Sequence, residues 1–318
     1  NSTYALDSKA TVAEFLLGFI EQYRGNVRPN TYRNYRETIT SRINPYIGSL
    51  NAAKLAPQSI EKLYGELKDQ GYRGGSIKIV HRVLSVAYNH AVRMEVMPRN
   101  PMVKVRIPKV DSVPTKHIPL EHFQTILLYA SSDPYLHARI IVGMCMGLRS
   151  GEVFGLKWSD VDWKNKRLTI ERQVQRVKGQ GLDFHPVKQG TVRTIPLDAN
   201  WLLALEEHRH FQDLEKSSWT IDRDLIFPGP NGDFLDAKLD WKLWKKLLKD
   251  AGLPLYEPRQ MRKTAFTNMA QRTDLKTLME FSGHTQVSTL MKSYVFASSE
   301  SLNSAISAIQ EKIGRAHV

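Results

Sequence analysis

One cysteine, Cys145, stands in a chain of 318 residues. A lone thiol closes no intrachain disulfide and builds no cysteine-based zinc site, so a disulfide-stapled scaffold and a zinc finger are both excluded and a reducing cytosolic compartment fits. Long apolar runs are missing as well. The longest, such as residues 140–148, fall well short of the roughly 20 residues that span a bilayer. Residues 1–10 lack the charged, apolar and small-residue order of a secretory signal. There is no HExxH, no GxxxxGK followed by Ser or Thr, and no GxSxG, which removes the usual sequence signals of zinc hydrolysis, nucleoside-triphosphate chemistry and serine hydrolysis. Asp160 and Asp162 stand two apart, as do His208 and His210, whereas side chains sharing a helix face stand three or four apart. Neither pair reads as a ligand set, and no metal is implied.

Negative charge is in short supply. Lys and Arg number 45 against 32 Asp and Glu, a net charge of +13, which favours a polyanionic partner such as nucleic acid or an acidic membrane face. Residues 1–110 are the more basic part, with 17 cations against 8 anions. Apolar residues recur there at spacings of three and four over 11–24, 29–46, 57–70 and 75–96, which predicts four helices. Prolines at 98, 101, 108 and 114 then predict an extended linker.

Beyond the linker the spacing predicts helices over 120–131 and 134–146, strands over 167–176 and 184–197 with a turn near 178–182, and helices over 199–216 and 237–251. Further helices are expected over 262–271, 275–281, 287–294 and 300–313. The fold class expected is mainly α with a small antiparallel β-sheet in the second domain. The domain limits expected are 8–108 for the helical domain, 109–118 for the linker, 119–298 for the second domain and 299–318 for a C-terminal helix and tail.

Four groups of residues stand out. They are Gly147-Leu148-Arg149-Ser150-Gly151-Glu152; Lys188 to Pro196, a lysine on an expected β-turn; Arg259-Gln260-Met261-Arg262 at a helix start; and Ser282-Gly283-His284, ten residues before Tyr294. Each alone has an ordinary structural reading, such as an ion pair between Arg149 and Glu152. In this order the four resemble the tyrosine recombinase, or phage integrase, family over residues 119–296. That family reads GLRxGE, a Leu-Trp-Asp stretch, a hairpin lysine ahead of Ile-Pro, HxxR, Gly-His and a tyrosine nine or ten positions on. One position departs: Arg259 stands where the family carries histidine or lysine, and arginine keeps a donor and a charge but is no base near neutral pH.

The resemblance implies a site-specific DNA recombinase of a phage or mobile element, with catalytic residues Arg149, Lys188, Arg259, Arg262, His284 and Tyr294. A phenol attacking phosphorus needs the charge on the non-bridging oxygens stabilised. Arg149 and Arg262 offer planar, permanently charged forks for that task, with His284 as a further donor. Tyr294 would attack, leaving a 3′-phosphotyrosine and a free 5′-hydroxyl, and Lys188 would give the departing oxygen its proton. Bond energy is conserved, so neither ATP nor any other cofactor is expected.

The basic helices resemble the family's core-binding domain, with Arg33, Arg36, Lys78 and Arg82 as candidate contacts in a two-domain clamp on double-stranded DNA. The resemblance also implies a specific core site, a homo-tetramer acting through a Holliday junction, a C-terminal helix exchanged between protomers, accessory DNA-bending or directionality factors, and the cytoplasm of a bacterial or archaeal cell. The arm-site domain of many phage integrases is expected to be absent here or cut away. The rival readings are type IB topoisomerase-like cleavage and a catalytically impaired DNA-binding relative.

Overall fold

The computed structural model describes residues 9–107, 117–177, 179, 181–187 and 192–294, the side chains of Thr289 and of residues 292–294 excepted. The chain divides into two compact units, Asn1–Pro114 and Thr115–Val318. The linker expected at 109–118 lies largely outside the described residues, as does the helix expected at 300–313.

The first unit is helical: α1 (Val12–Gln22), α2 (Pro29–Thr38), α3 (Asn44–Ile47), α4 (Pro57–Asp69) and α5 (Gly74–Arg93). Thr11 and Glu14 cap α1 reciprocally. Thr11 Oγ1 accepts from the Glu14 amide at 3.2 Å, and Glu14 Oε2 accepts from the Thr11 amide at 2.9 Å. The apolar stripes of these helices meet in one core that includes Leu16, Ile20, Ile43, Leu67, Leu84 and Tyr88. Tyr88 satisfies its buried hydroxyl by donating to the Ala52 carbonyl at 3.0 Å.

Two expectations for this unit are corrected. The helix read as continuous over 29–46 is divided by a π turn, Ile39–Ile43, between α2 and α3. Pro45 has no N–H to return to the preceding turn, and a wider turn ahead of it accommodates that loss. The proline-rich stretch is also not extended from its start. Pro101–Lys104 is a 3₁₀ turn, capped where the Asn100 side chain accepts from the Met102 amide at 2.8 Å. Met97, Met102 and Val105 are buried in the helical core, so their apolar surface holds this part of the chain to the first unit.

The second unit begins with α6 (Leu120–Ala130), α7 (Pro134–Ile140) and α8 (Ser150–Gly155). The strands β1 (Val161–Asp162), β2 (Arg167–Ile170), β3 (Arg172–Val177), β4 (Gly181–Pro186) and β5 (Arg193–Pro196) follow. It ends with α9 (Ala199–Glu215), α10 (Ala237–Asp250), α11 (Pro258–Ala270), α12 (Leu275–Ser282) and α13 (Val287–Tyr294). The mainly helical class with minor antiparallel sheet is therefore the fold of the molecule.

The helix expected over 134–146 is interrupted by a second π turn, Ile141–Cys145. Gly143 lies in that turn because a Cβ there would stand 2.7 Å from the buried guanidinium of Arg139 and 2.9 Å from Met261 Sδ. α11 starts at Pro258, earlier than the 262 expected, because Glu257 and Gln260 cap it. The short helix α8 was not expected, since six residues are too few for a helical period to show.

The single sheet expected is two. β1, β2 and β5 form one in that order, with Leu168 opposite Ile195; β3 and β4 form the other, with Val174 opposite Phe184. The described strands on either side of Lys188 thus belong to different sheets, which corrects the reading of a hairpin whose two arms pair. The cause is packing. Leu168, Ile170 and Ile195 bury the first sheet in a core that Val174 also joins, while β3 lies directly against α8, where a Cβ on Gly151 would stand 3.0 Å from the Val174 carbonyl.

Candidate active site

Two glycines in the left-handed region shape the site. Gly147 has φ +66° and carries the chain out of the π turn toward Arg149 and α8; Gly283 has the same φ and ends α12 just before His284. A Cβ at Gly147 would stand 2.9 Å from the Phe266 ring, so this turn sits directly on α11. These bends bring the GLRxGE stretch, the start of α11 and the end of α12 together.

Glu152 is the centre of the arrangement. Its side chain is fully buried, Oε1 accepts from Arg149 Nη1 at 2.6 Å, and Oε2 accepts from the Arg149 amide at 3.0 Å. Arg193, arriving on β5, donates to the same carboxylate through Nη2 at 2.7 Å and Nη1 at 3.3 Å. Its Nε donates to the Phe281 carbonyl at 3.1 Å. Burial raises the Glu152 carboxyl pKa, but the Arg193 hydrogen bond and the charges of Arg193, Arg149 and Arg262 overcome it and hold the group down at about 2. The carboxylate is therefore an anion throughout the physiological range.

Arg262 closes the other side. It is buried, with Nη1 donating to the Gly147 carbonyl at 2.7 Å and Nη2 to the Ser282 carbonyl at 2.9 Å, and its guanidinium lies over the Phe266 ring. His284 Nδ1 is 2.6 Å from Ser282 Oγ, which fixes the orientation of the ring. Burial first, and then the charges of Arg262, Arg149 and Arg193, push the imidazole pKa down to about 4, with Glu152 acting in the opposite sense. Before an anion binds, the ring is neutral at pH 7.

Of the residues expected at the site, the structure thus brings together Arg149, Arg262 and His284. Arg259 is exposed, one turn before Arg262, and ion-paired with Glu257. Lys188 lies outside the described residues, and Tyr294 is described only as the backbone end of α13. Leu290, one turn earlier, is buried with Phe266 and Leu278 and ties α13 to α11 and α12. Arg193 was missed. Its signal was local: on β5 it shares the inward face with Ile195, and a charge at an inward strand position needs a partner.

Residues 120–300 match the phage integrase family, and residues 11–68 match the SAM-like N-terminal domain of phage integrases. The chain is a member of the phage integrase family, the tyrosine recombinases. It is 25% identical over 303 residues to the "Tyrosine recombinase XerC-like" protein of Caldanaerobacter subterraneus subsp. tengcongensis, covering 88% of this chain and 75% of that one. The ICEBs1 integrase of Bacillus subtilis is 24% identical over 187 residues, covering 58% of this recombinase and 51% of the relative. The recombinase fold is shared with the Tn1549 transposon integrase in complex with a circular intermediate DNA, at a TM-score of 0.82 and 21% identity over 94% of this chain and 99% of that one. It is also shared with the lambda integrase in a tetramer bound to a Holliday junction, at a TM-score of 0.68 and 18% identity over 89% and 78%.

Among the described residues of the recombinase, no helix is long and apolar enough to cross a membrane, and no group of three or more His, Cys, Asp or Glu could hold a metal ion.

Proposed function

We propose that this tyrosine recombinase cleaves and rejoins the strands of a specific core site in double-stranded DNA, with Tyr294 as nucleophile and Arg149, Arg262 and His284 on the scissile phosphate. The observation that carries this reading is the gathering of three guanidinium groups about a single carboxylate: Arg149 and Arg193 bond to Glu152, Arg262 acts on it through its charge, and the three leave an excess of positive charge beside His284. A phosphodiester supplies the anion that such a site lacks. As Tyr294 attacks, negative charge grows on the non-bridging oxygens, and donors already fixed in place stabilise it without reorganising. The phenolic oxygen forms the bond to phosphorus, the bond to the 5′-oxygen breaks, and Lys188 supplies the proton to that oxygen. No role is assigned to Arg259 at the phosphate, since its charge is paired with Glu257.

In the first unit Arg33 and Arg36 on α2, and Lys78 and Arg82 on α5, are all exposed. α2 packs against α5, and the Arg82 charge acts on Tyr35, so this pair of helices presents its cations on neighbouring surfaces. They are the candidate backbone contacts. Tetramer assembly and exchange of the segment at 299–318 between protomers belong to the same reading. The candidate receptor for such a segment is an apolar cavity of about 440 Å³ in the second unit, lined by residues including Met144, Trp201, Met269, Leu278 and Phe281. The work would take place in the cytoplasm of a bacterial or archaeal cell, with DNA-bending or directionality factors as accessories to the tetramer.

The test is a library of nicked duplexes incubated with wild type and with Tyr294→Phe in EDTA, scored for a covalent protein–DNA adduct on denaturing gels. An adduct that forms with wild type and vanishes with Tyr294→Phe supports the mechanism. An adduct that persists in Tyr294→Phe, or that requires a divalent cation, overturns it.

A further inference from the structure

Arg193 is assigned no contact with the phosphate in the mechanism above, yet its side chain joins β5 to α8 and to the end of α12. Its side chain is 6% exposed, and three of its nitrogens are committed inside the protein, two to Glu152 and one to the Phe281 carbonyl. Such a guanidinium is poorly placed to meet DNA. Arg149, by contrast, gives Glu152 one guanidinium nitrogen and keeps a quarter of its side chain exposed.

The Phe281 carbonyl lies at the end of α12, two residues before Gly283. A Cβ on Gly283 would stand 3.3 Å from Arg193 Cδ, so the turn that delivers His284 rests on the Arg193 side chain. Arg193 also opens β5, the first described strand after Lys188.

The geometry points to Arg193 as a positioning residue for strand cleavage: it shares the charge of Glu152, so that the Arg149 fork can turn to phosphate, and it holds the end of α12 that leads to His284. The physical reason is competition. A buried carboxylate attracts any guanidinium in reach, and with Arg193 removed, Arg149 would be the remaining guanidinium bonded to Glu152. The phosphate would then have to displace Glu152 from Arg149 before Arg149 could stabilise the transition state. The inference rests on the assignment of Arg149 and His284 to the phosphate.

Three variants test it: Arg193→Met, Arg193→Lys, and Arg193→Met combined with Glu152→Gln. Each is followed by single-turnover adduct formation on a sequence recovered from the nicked library, by DNA affinity, by unfolding, and by NMR titration of His284 in protein labelled at histidine. Arg193→Met is expected to form adduct about 100-fold more slowly while its affinity for DNA stays within about threefold, the signature of a group that acts on the chemical step through orientation. Arg193→Lys, which keeps the charge without the fork, recovers part of that loss.

The double variant removes the buried anion together with its partner, so it regains the wild-type unfolding midpoint and remains slow. The His284 titration midpoint rises in Arg193→Met, because one of the three cations facing the ring is gone while Glu152 remains. Recovery of both stability and rate in the double variant would reduce Arg193 to charge compensation and overturn the proposal. So would a loss confined to DNA affinity, or a His284 midpoint that does not move. Should wild type itself form no adduct, the recombination mechanism fails separately, and the His284 titration still tests the Arg193 contacts by themselves.

Discussion

Among the described residues of the unit Asn1–Pro114, the buried positions are apolar apart from Thr38, and the cations Arg33, Arg36, Lys78 and Arg82 are all exposed. In the unit Thr115–Val318, Arg139, Glu152, Arg193, Asp240 and Arg262 are buried. Both units are rich in cations, but they use them differently. Surface charge in the first unit costs little to keep and acts over the range set by salt screening. Buried charge in the second is tolerated only with partners in fixed geometry, and that requirement holds the reactive groups in one arrangement. The same residue type therefore serves attraction in one unit and orientation in the other.

The sharpest way to break this comparison is the buried pair Arg139 and Asp240, which joins α7 to α10 through bonds of 2.8 and 3.0 Å. Arg139→Met alone should destabilise the second unit by about 3–5 kcal/mol by stranding Asp240, whereas Arg139→Met with Asp240→Leu should come close to wild type. All six tryptophans lie at or beyond Trp158, so fluorescence-monitored denaturation reports the second unit alone. If the single variant is as stable as wild type, burial is not what distinguishes the two units.

A pH scan sharpens the contrast by a smaller effect. His284 titrates near 4 in the folded chain and near 6.5 when unfolded. Below pH 6.5 the unfolded chain therefore takes up a proton that the folded chain refuses, and stability falls as the pH drops from 6.5 toward 4. Glu152 adds stability that is complete above 4.5 and lost as the pH falls toward 2. In thermal melts followed by tryptophan fluorescence, His284→Gln should flatten the slope between pH 6.5 and 4. A slope that does not change would assign it to the buried His208, whose pKa burial also lowers.

The smallest effect belongs to the surface cations. Arg33→Ala or Arg82→Ala should change stability by no more than about 0.5 kcal/mol. Where the residue contacts a phosphate, the slope of log affinity against log salt should fall by about one. Stability losses as large as those of the buried pair would erase the distinction.

Much of this division was legible in the residues. The apolar period of α1, α4 and α5 follows from local spacing, because a helix face is set by neighbours a few positions apart, and the excess of cations before residue 110 follows from composition, whereas Arg149, Arg262 and His284 were legible through the resemblance of their motifs to those of a known family. The two π turns, the division into two sheets and the position of Arg259 were not legible, since each depends on what lies alongside. Pro45 and Gly143 mark the π turns in the sequence but do not reveal their form.

The chain by itself determined which groups are available: the arginines, the histidine, the tyrosine, and an inward-facing charge at position 193. Tertiary structure decided which of them meet. Glu152 and Arg193 are 41 residues apart, and Arg262 reaches the Gly147 carbonyl across 115. No local spacing specifies such pairs. They form because packing α8, β5, α11 and α12 together removes water from the charges and leaves each no lower-energy choice than the partner beside it.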